Sequence, residues 1–118
     1  MAIVVTTPSP GKFGWILNGV SADASGCEEL KAAPAAGLSI IVDSLTINNG
    51  ANAISVTIGQ GAAAGAVEVA LIGPIAMAAN TSLQFAFRDG MVLAAAKSLT
   101  VDSSGAGAVC IFAQGRVQ

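Results

Sequence analysis

The 118-residue chain contains no histidine and no tyrosine, one tryptophan, four phenylalanines and two cysteines. Without histidine, imidazole acid–base chemistry, histidine-activated nucleophiles and histidine metal sites are impossible. Charge is scarce as well. Asp, Glu, Lys and Arg make up 10% of the residues, less than half of the roughly 25% carried by ordinary soluble domains. Five Lys and Arg scattered along the chain do not form the basic patch that a nucleic-acid partner requires. Cys27 and Cys110 are too few for a disulfide framework and read as small, half-apolar fillers.

Hydrophobic residues fill 53% of the chain, alongside 14 glycines. That is the reverse of a disordered composition. The length suits one domain. The longest charge-free stretches, residues 44–67 and 69–87, are broken by Asn48, Asn49, Gly50, Asn52 and Gln60 and by Gly73-Pro74, Asn80, Thr81 and Gln84. Neither reads as the run of about 20 apolar residues that a spanning helix needs, so no membrane partner is expected. Residues 1–10 show neither the positive start nor the long apolar run of a secretion signal. Sparse charge weakens the repulsion that keeps copies apart, so self-association is expected.

The dominant periodicity is two. Leu83, Phe85 and Phe87 alternate with Gln84, Ala86 and Arg88. Ile54, Val56 and Ile58 alternate with Ala53, Ser55 and Thr57. Leu99 and Val101 alternate with Ser98, Thr100 and Asp102, and Val109, Ile111 and Ala113 with Cys110, Phe112 and Gln114. Such alternation marks half-buried strands. Along residues 38–49, Leu38, Ile40 and Val42 share one parity while Leu45 and Ile47 share the other. A bulge near Asp43-Ser44 would keep both sets on one face, which predicts one long bent strand. Residues 3–6 and 67–72 read as further strands, the latter with Val67, Val69 and Leu71 on one face. A short helix is expected near residues 28–33.

Asp89-Gly90, between two strand runs, predicts a two-residue hairpin. Residues 49–52 and 103–107 read as longer hairpin loops, Gly73-Pro74 as a strand stop and Asn80-Thr81-Ser82 as a turn. Short strands at this spacing indicate an all-β sandwich or barrel of about eight to ten strands in a single domain. Residues 1–17 are expected to form an N-terminal strand and extended arm, and residues 18–118 the sandwich.

The candidates for chemistry are weak. Residues 59–65, Gly-Gln-Gly-Ala-Ala-Ala-Gly, look like a phosphate loop, but strand-like residues come after it where a helix is required, and no Lys-Ser or Lys-Thr pair is present. The acids are Asp23, Glu28, Glu29, Asp43, Glu68, Asp89 and Asp102. Asp89 and Asp102 sit at turns, where Asp serves local hydrogen bonding, Asp43 at the bulge and Glu68 on a polar strand face. A glycan-cleaving carboxylate pair would also bring a cleft rich in aromatics, and no calcium-loop signature is present. No enzyme activity, cofactor or metal is expected. Phe13 and Trp15 come after a Pro/Gly-rich stretch and are candidate docking anchors, because aromatics are enriched at interface centres. Trp15, with Ile16 and Leu17, equally suits the start of the core.

One resemblance covers residues 28–118. Leu30-Lys31-Ala32-Ala33-Pro34-Ala35-Ala36-Gly37-Leu38-Ser39-Ile40 leads into Leu45-Thr46-Ile47-Asn48-Asn49. Further along are Ile72-Gly73-Pro74-Ile75, Ala79-Asn80-Thr81-Ser82-Leu83, Phe87-Arg88-Asp89-Gly90, Leu99-Thr100-Val101 and Gly115-Arg116-Val117. This texture resembles small bacteriophage virion proteins, namely head decoration (cement) proteins and fibre-tip domains, whose fold is similar to tumour necrosis factor-like trimers. The resemblance implies a jelly-roll sandwich that assembles as a homotrimer. It implies a place on the outer capsid surface, across neighbouring major capsid proteins, after assembly in the host cytoplasm. Phe13, Trp15 and Arg116 are then the expected partner contacts. A fibre-tip or tail/neck module that recognises a glycan or receptor is the alternative.

Overall fold

A computed structural model of the chain describes residues 4–6, 14–21, 26–61, 69–105 and 108–118. They form nine strands: β1 (Val4–Thr6), β2 (Gly14–Ser21), β3 (Gly26–Lys31), β4 (Ile40–Asn49), β5 (Ile54–Gly61), β6 (Val69–Met77), β7 (Ser82–Val92), β8 (Ser98–Ser103) and β9 (Val109–Val117). Every pairing is antiparallel. One sheet runs β1-β2-β9-β4-β7 and the other β3-β8-β5-β6. With β1 set aside, the two four-strand orders interleave the chain as a jelly roll, which matches the expected fold class. The core lies between the sheets. Ile40, Val42, Ile47, Val56, Ile58, Leu99, Val109 and Ile111 are all fully buried there.

The predicted bend of β4 is present. Its register shifts between Val42 and Ser44 against both β7 and β9. Asp43 is the extra residue, so Ile40 and Val42 before it and Leu45 and Ile47 after it all reach the core.

Several local expectations need correction. Residues 28–31 belong to β3, which pairs with β8, and no helix occurs among the described residues. The helix-favouring Glu-Glu-Leu-Lys run yields to the ladder and to burial of Leu30, since tertiary context overrides weak propensity. Asp89-Gly90 makes no hairpin, because β7 continues through it to Val92. Residues 87–90 stand between Ala86, the partner of Ser44, and Met91, the partner of Val42. Gly90 takes φ +85, a left-handed conformation that serves a bulge as well as a turn, and a Cβ there would run into Ile41 Cγ2. Gly73-Pro74 does not end β6, which reaches Met77 while its register against β5 shifts.

The expected hairpins after Asn49 and Ser103 are corners instead. Strands β4 and β5 lie in opposite sheets, as do β8 and β9. Strand β1 pairs with β2 at the sheet edge, and residues 7–13 of the expected arm lie outside the described residues. The division expected at residue 17 falls inside β2, so residues 14–17 belong to the sandwich. Residues 7–13, Val67 and residues 106–107 lie outside the described residues.

The corners are joined by Asn49. This side chain is 7% exposed. Its Nδ2 donates to Asn52 O at 2.8 Å, Ala78 O at 2.9 Å and Met77 O at 3.3 Å. Its backbone N–H donates to Thr81 O at 2.8 Å, and the Asn80 N–H donates to Gly50 O at 2.7 Å. The β4–β5 corner is thereby tied to the β6–β7 corner, and the turn expected at residues 80–82 is the segment it is tied to. Asn49→Ala leaves those carbonyls, Met77 O buried and the other two partly so, without their donor. It is expected to cost about 1–3 kcal/mol of unfolding free energy in urea titrations, and a loss below about 0.5 kcal/mol would show that water replaces the latch.

Candidate functional site

The described residues bring no catalytic constellation together. No three of the acids and cysteines gather where a metal ion would sit among these residues. Asp23 and Glu68 lie outside the described residues. Gly59, Gln60 and Gly61 are strand residues of β5, Gln60 Oε1 accepts the Ala94 N–H at 2.8 Å, and residues 62–65 of the glycine motif are not described. The next described element is strand β6, so the described residues show no strand–loop–helix setting of a phosphate loop.

Two acids do meet. Arg116 on β9 pairs with Asp43 Oδ1 at 2.5 Å and reaches toward Asp89 O at 3.5 Å. The three residues clasp the place where β4 and β7 both leave the regular ladder. Both ionic groups are about 40% exposed, so the pair is worth at most about 1 kcal/mol. The residue below the clasp must be glycine. A Cβ on Gly115 would overlap Ile41 O and crowd Trp15.

Trp15 is 6% exposed and lies in the core. Its indole N–H donates to Arg116 O at 3.1 Å, so the ring is used in this chain's own packing. Lys31 Nζ lies 5.4 Å from the centre of that ring. A small cavity of about 170 Å³ lies beside them, lined by Trp15, Leu17, Leu30 and Lys31. Burial pushes the Lys31 pKa below the ordinary 10.5. Phe13 lies outside the described residues. Cys110 is a free thiol, half-buried, and its Sγ–H donates to Asn18 Oδ1 at 3.0 Å.

The feature that stands out is a surface. Antiparallel partners share a face, so the registers of β2, β9, β4 and β7 define the outer side of the five-stranded sheet row by row. The rows are Ile16–Gln114–Ser44–Ala86, Asn18–Phe112–Thr46–Gln84 and Val20–Cys110–Asn48–Ser82. The rows between them, Leu17–Ala113–Leu45–Phe85 and Gly19–Ile111–Ile47–Leu83, face the core. None of the outer-row residues is charged. Phe112, at the centre, is 40% exposed. The Arg116–Asp43 clasp closes one end, beside Ile41 and Val92, the latter 58% exposed. A sheet face turned to water ordinarily carries polar and charged side chains, and this one carries an aromatic ring among amides, hydroxyls and small apolar groups.

The chain matches no protein-family model, no curated protein and no solved structure. The reading of its function therefore rests on its own residues. Sequence reasoning left Trp15 open between docking anchor and core, and it is core; it passed over Phe112, which is exposed. The signal for it was an aromatic ring in the polar register of the Val109–Ile111–Ala113 alternation.

Lys31 yields a pH prediction. Its proton is held less tightly in the folded chain than in the unfolded one, so the unfolded state binds more protons as the pH passes from the lowered pKa toward 10.5. Stability from this group then rises with pH across that window and is level below it. In urea titrations between about pH 8 and pH 11, the stability of the parent chain relative to Lys31→Met is expected to climb with pH. A falling difference would mean that the contact with the Trp15 ring outweighs desolvation.

Proposed function

We propose that this chain is a non-enzymatic structural subunit of a bacteriophage virion. It decorates and stabilises the capsid by binding, as a homotrimer, across neighbouring major capsid proteins. The observation that carries this reading is the set of three uncharged outer rows of the five-stranded sheet, centred on exposed Phe112 and bordered at one end by Arg116. Such a face is a contact surface rather than a solvated one. The resemblance of residues 28–118 to phage decoration proteins supplies the setting, and the jelly-roll order of the strands agrees with it. The net charge of −2 suits the outside of a shell better than its DNA side.

The mechanism is mass action. A subunit that binds the assembled shell and not its free parts stabilises the shell by RT ln(1 + [L]/Kd). Three linked contacts raise the local concentration of each second and third contact. The glycine-rich and alanine-rich composition suits close packing against neighbours, where charged side chains would have to be desolvated.

Particles purified with and without this protein test the reading. Density mapping or labelling is expected to find it on the capsid surface. Stripped particles are expected to release their DNA at a lower temperature in a dye-access melt, with recovery when the protein is added back. Finding it at a fibre tip or tail, or finding no change in the melt, would overturn the decoration role.

A further inference from the structure

Two of the five asparagines are followed by glycine, Asn18 in β2 and Asn49 at the end of β4. An asparagine before glycine is the pair most open to loss of its side-chain amide, because glycine leaves the next backbone nitrogen unshielded. The fold demands that pair at the β4–β5 corner. Asn49 must be an amide, since its Nδ2 donates to the carbonyls of Asn52, Met77 and Ala78. Position 50 must be glycine, since a Cβ there would stand 2.5 Å from Ala108 O. Together the two demands set a labile pair in the latch that joins two corners. Beside it lies a solvent-open cavity of about 380 Å³, lined by Ala53, Ile54, Ser55, Met77, Ala78 and Ser104. Two of the three latch carbonyls belong to residues of that wall, so a corner that opens there opens to water.

We infer that Asn49 is a deamidation site which the latch holds shut, and that the product keeps the corner from closing again. The inference is independent of the proposed function. In the reaction, the Gly50 nitrogen bonds to Asn49 Cγ and gives up its proton, and the Cγ–Nδ2 bond breaks with ammonia as the leaving group. Water then adds to one carbonyl of the cyclic imide and opens the ring, leaving a carboxylate as aspartate or isoaspartate. One water is consumed and one ammonia released, and no oxidant or reductant is needed. The closed corner opposes the attack in two ways. The nitrogen that has to leave is held by the three carbonyls. The Asn49 N–H is held by Thr81 O at 2.8 Å, which keeps the backbone extended rather than folded back on the amide. After the reaction the position no longer donates, and a carboxylate faces three carbonyl oxygens at a site only 7% exposed. Asn18 is the internal comparison. It lies inside β2, between Thr6 of β1 and Phe112 of β9. Asn49 is the last residue of its strand, where ladders open first.

Peptide mass spectrometry of chains aged at one pH and temperature tests this. Unfolded in guanidinium chloride, Asn18 and Asn49 are expected to deamidate at similar rates. In the folded chain, Asn49 is expected to react about tenfold or more slowly than when unfolded, yet ahead of Asn18. Asn49→Asp reproduces the product, and its folding equilibrium constant in urea titrations is expected to fall about tenfold or more below that of the parent. A second measurement serves if that variant does not fold. When a partly converted sample is diluted out of denaturant, the folded, protease-resistant fraction is expected to be depleted of chains converted at Asn49. Equal rates at Asn49 in the folded and unfolded chain would overturn the latch as the barrier. Asn18 reacting first in the folded chain, or neither reacting before global unfolding, would overturn the corner as the place that opens. Converted chains present in the folded fraction in full proportion, or an Asn49→Asp chain as stable as the parent, would overturn the one-way step.

Discussion

Strand β4 has to keep its apolar side chains on the inner face although their parity changes half-way along it. Ile40 and Val42 precede the change, Leu45 and Ile47 come after it, and all four are buried to 1% exposure or less. A regular strand would turn one of these pairs out to water, at about 1.5–3 kcal/mol per side chain. The bulge at Asp43 removes the conflict, and the neighbours are shaped around it. On one side β9 passes with Gly115, the residue without a side chain, against Ile41. On the other, β7 bulges through residues 87–90 with Gly90 left-handed. Arg116 and Asp43 then close the irregularity with an ion pair.

A jelly roll places a second demand on its chain. Most links run from one sheet to the other, so corners rather than hairpins must satisfy the backbone. Polar side chains do this inside the molecule. Asn49 binds two corners together, Gln60 accepts the Ala94 N–H, and Ser98 Oγ donates to Gly61 O at 2.9 Å. Each is buried, and each is paired, as a low-dielectric interior requires. Thr100 Oγ1 differs: it is buried with no hydrogen-bond partner among the described residues.

The scarcity of charge acquires a location once the registers are known. The described charges gather at the Arg116–Asp43 clasp, at Arg88-Asp89 and along the β3/β8 side, while the three outer rows centred on Phe112 have none. A subunit with this distribution is suited to contact through its sheet face. The proposed place on a capsid draws on that distribution.

The strand alternation and the bulge at Asp43 were legible in the sequence by itself, because a period of two and its phase are local properties of neighbouring residues. The absence of histidine and of a basic patch was equally plain. Only the tertiary structure decided which strands are neighbours, since pairing joins residues as distant as Trp15 and Gly115. It therefore decided that Asp89-Gly90 is a bulge and not a hairpin, because a left-handed glycine serves both. It made Glu28–Lys31 a strand, because the ladder with β8 outweighs a weak helical preference. It put Trp15 in the core and Phe112 on the surface. Alternation says that two side chains point apart, and only the packing of one sheet on the other says which of them meets water.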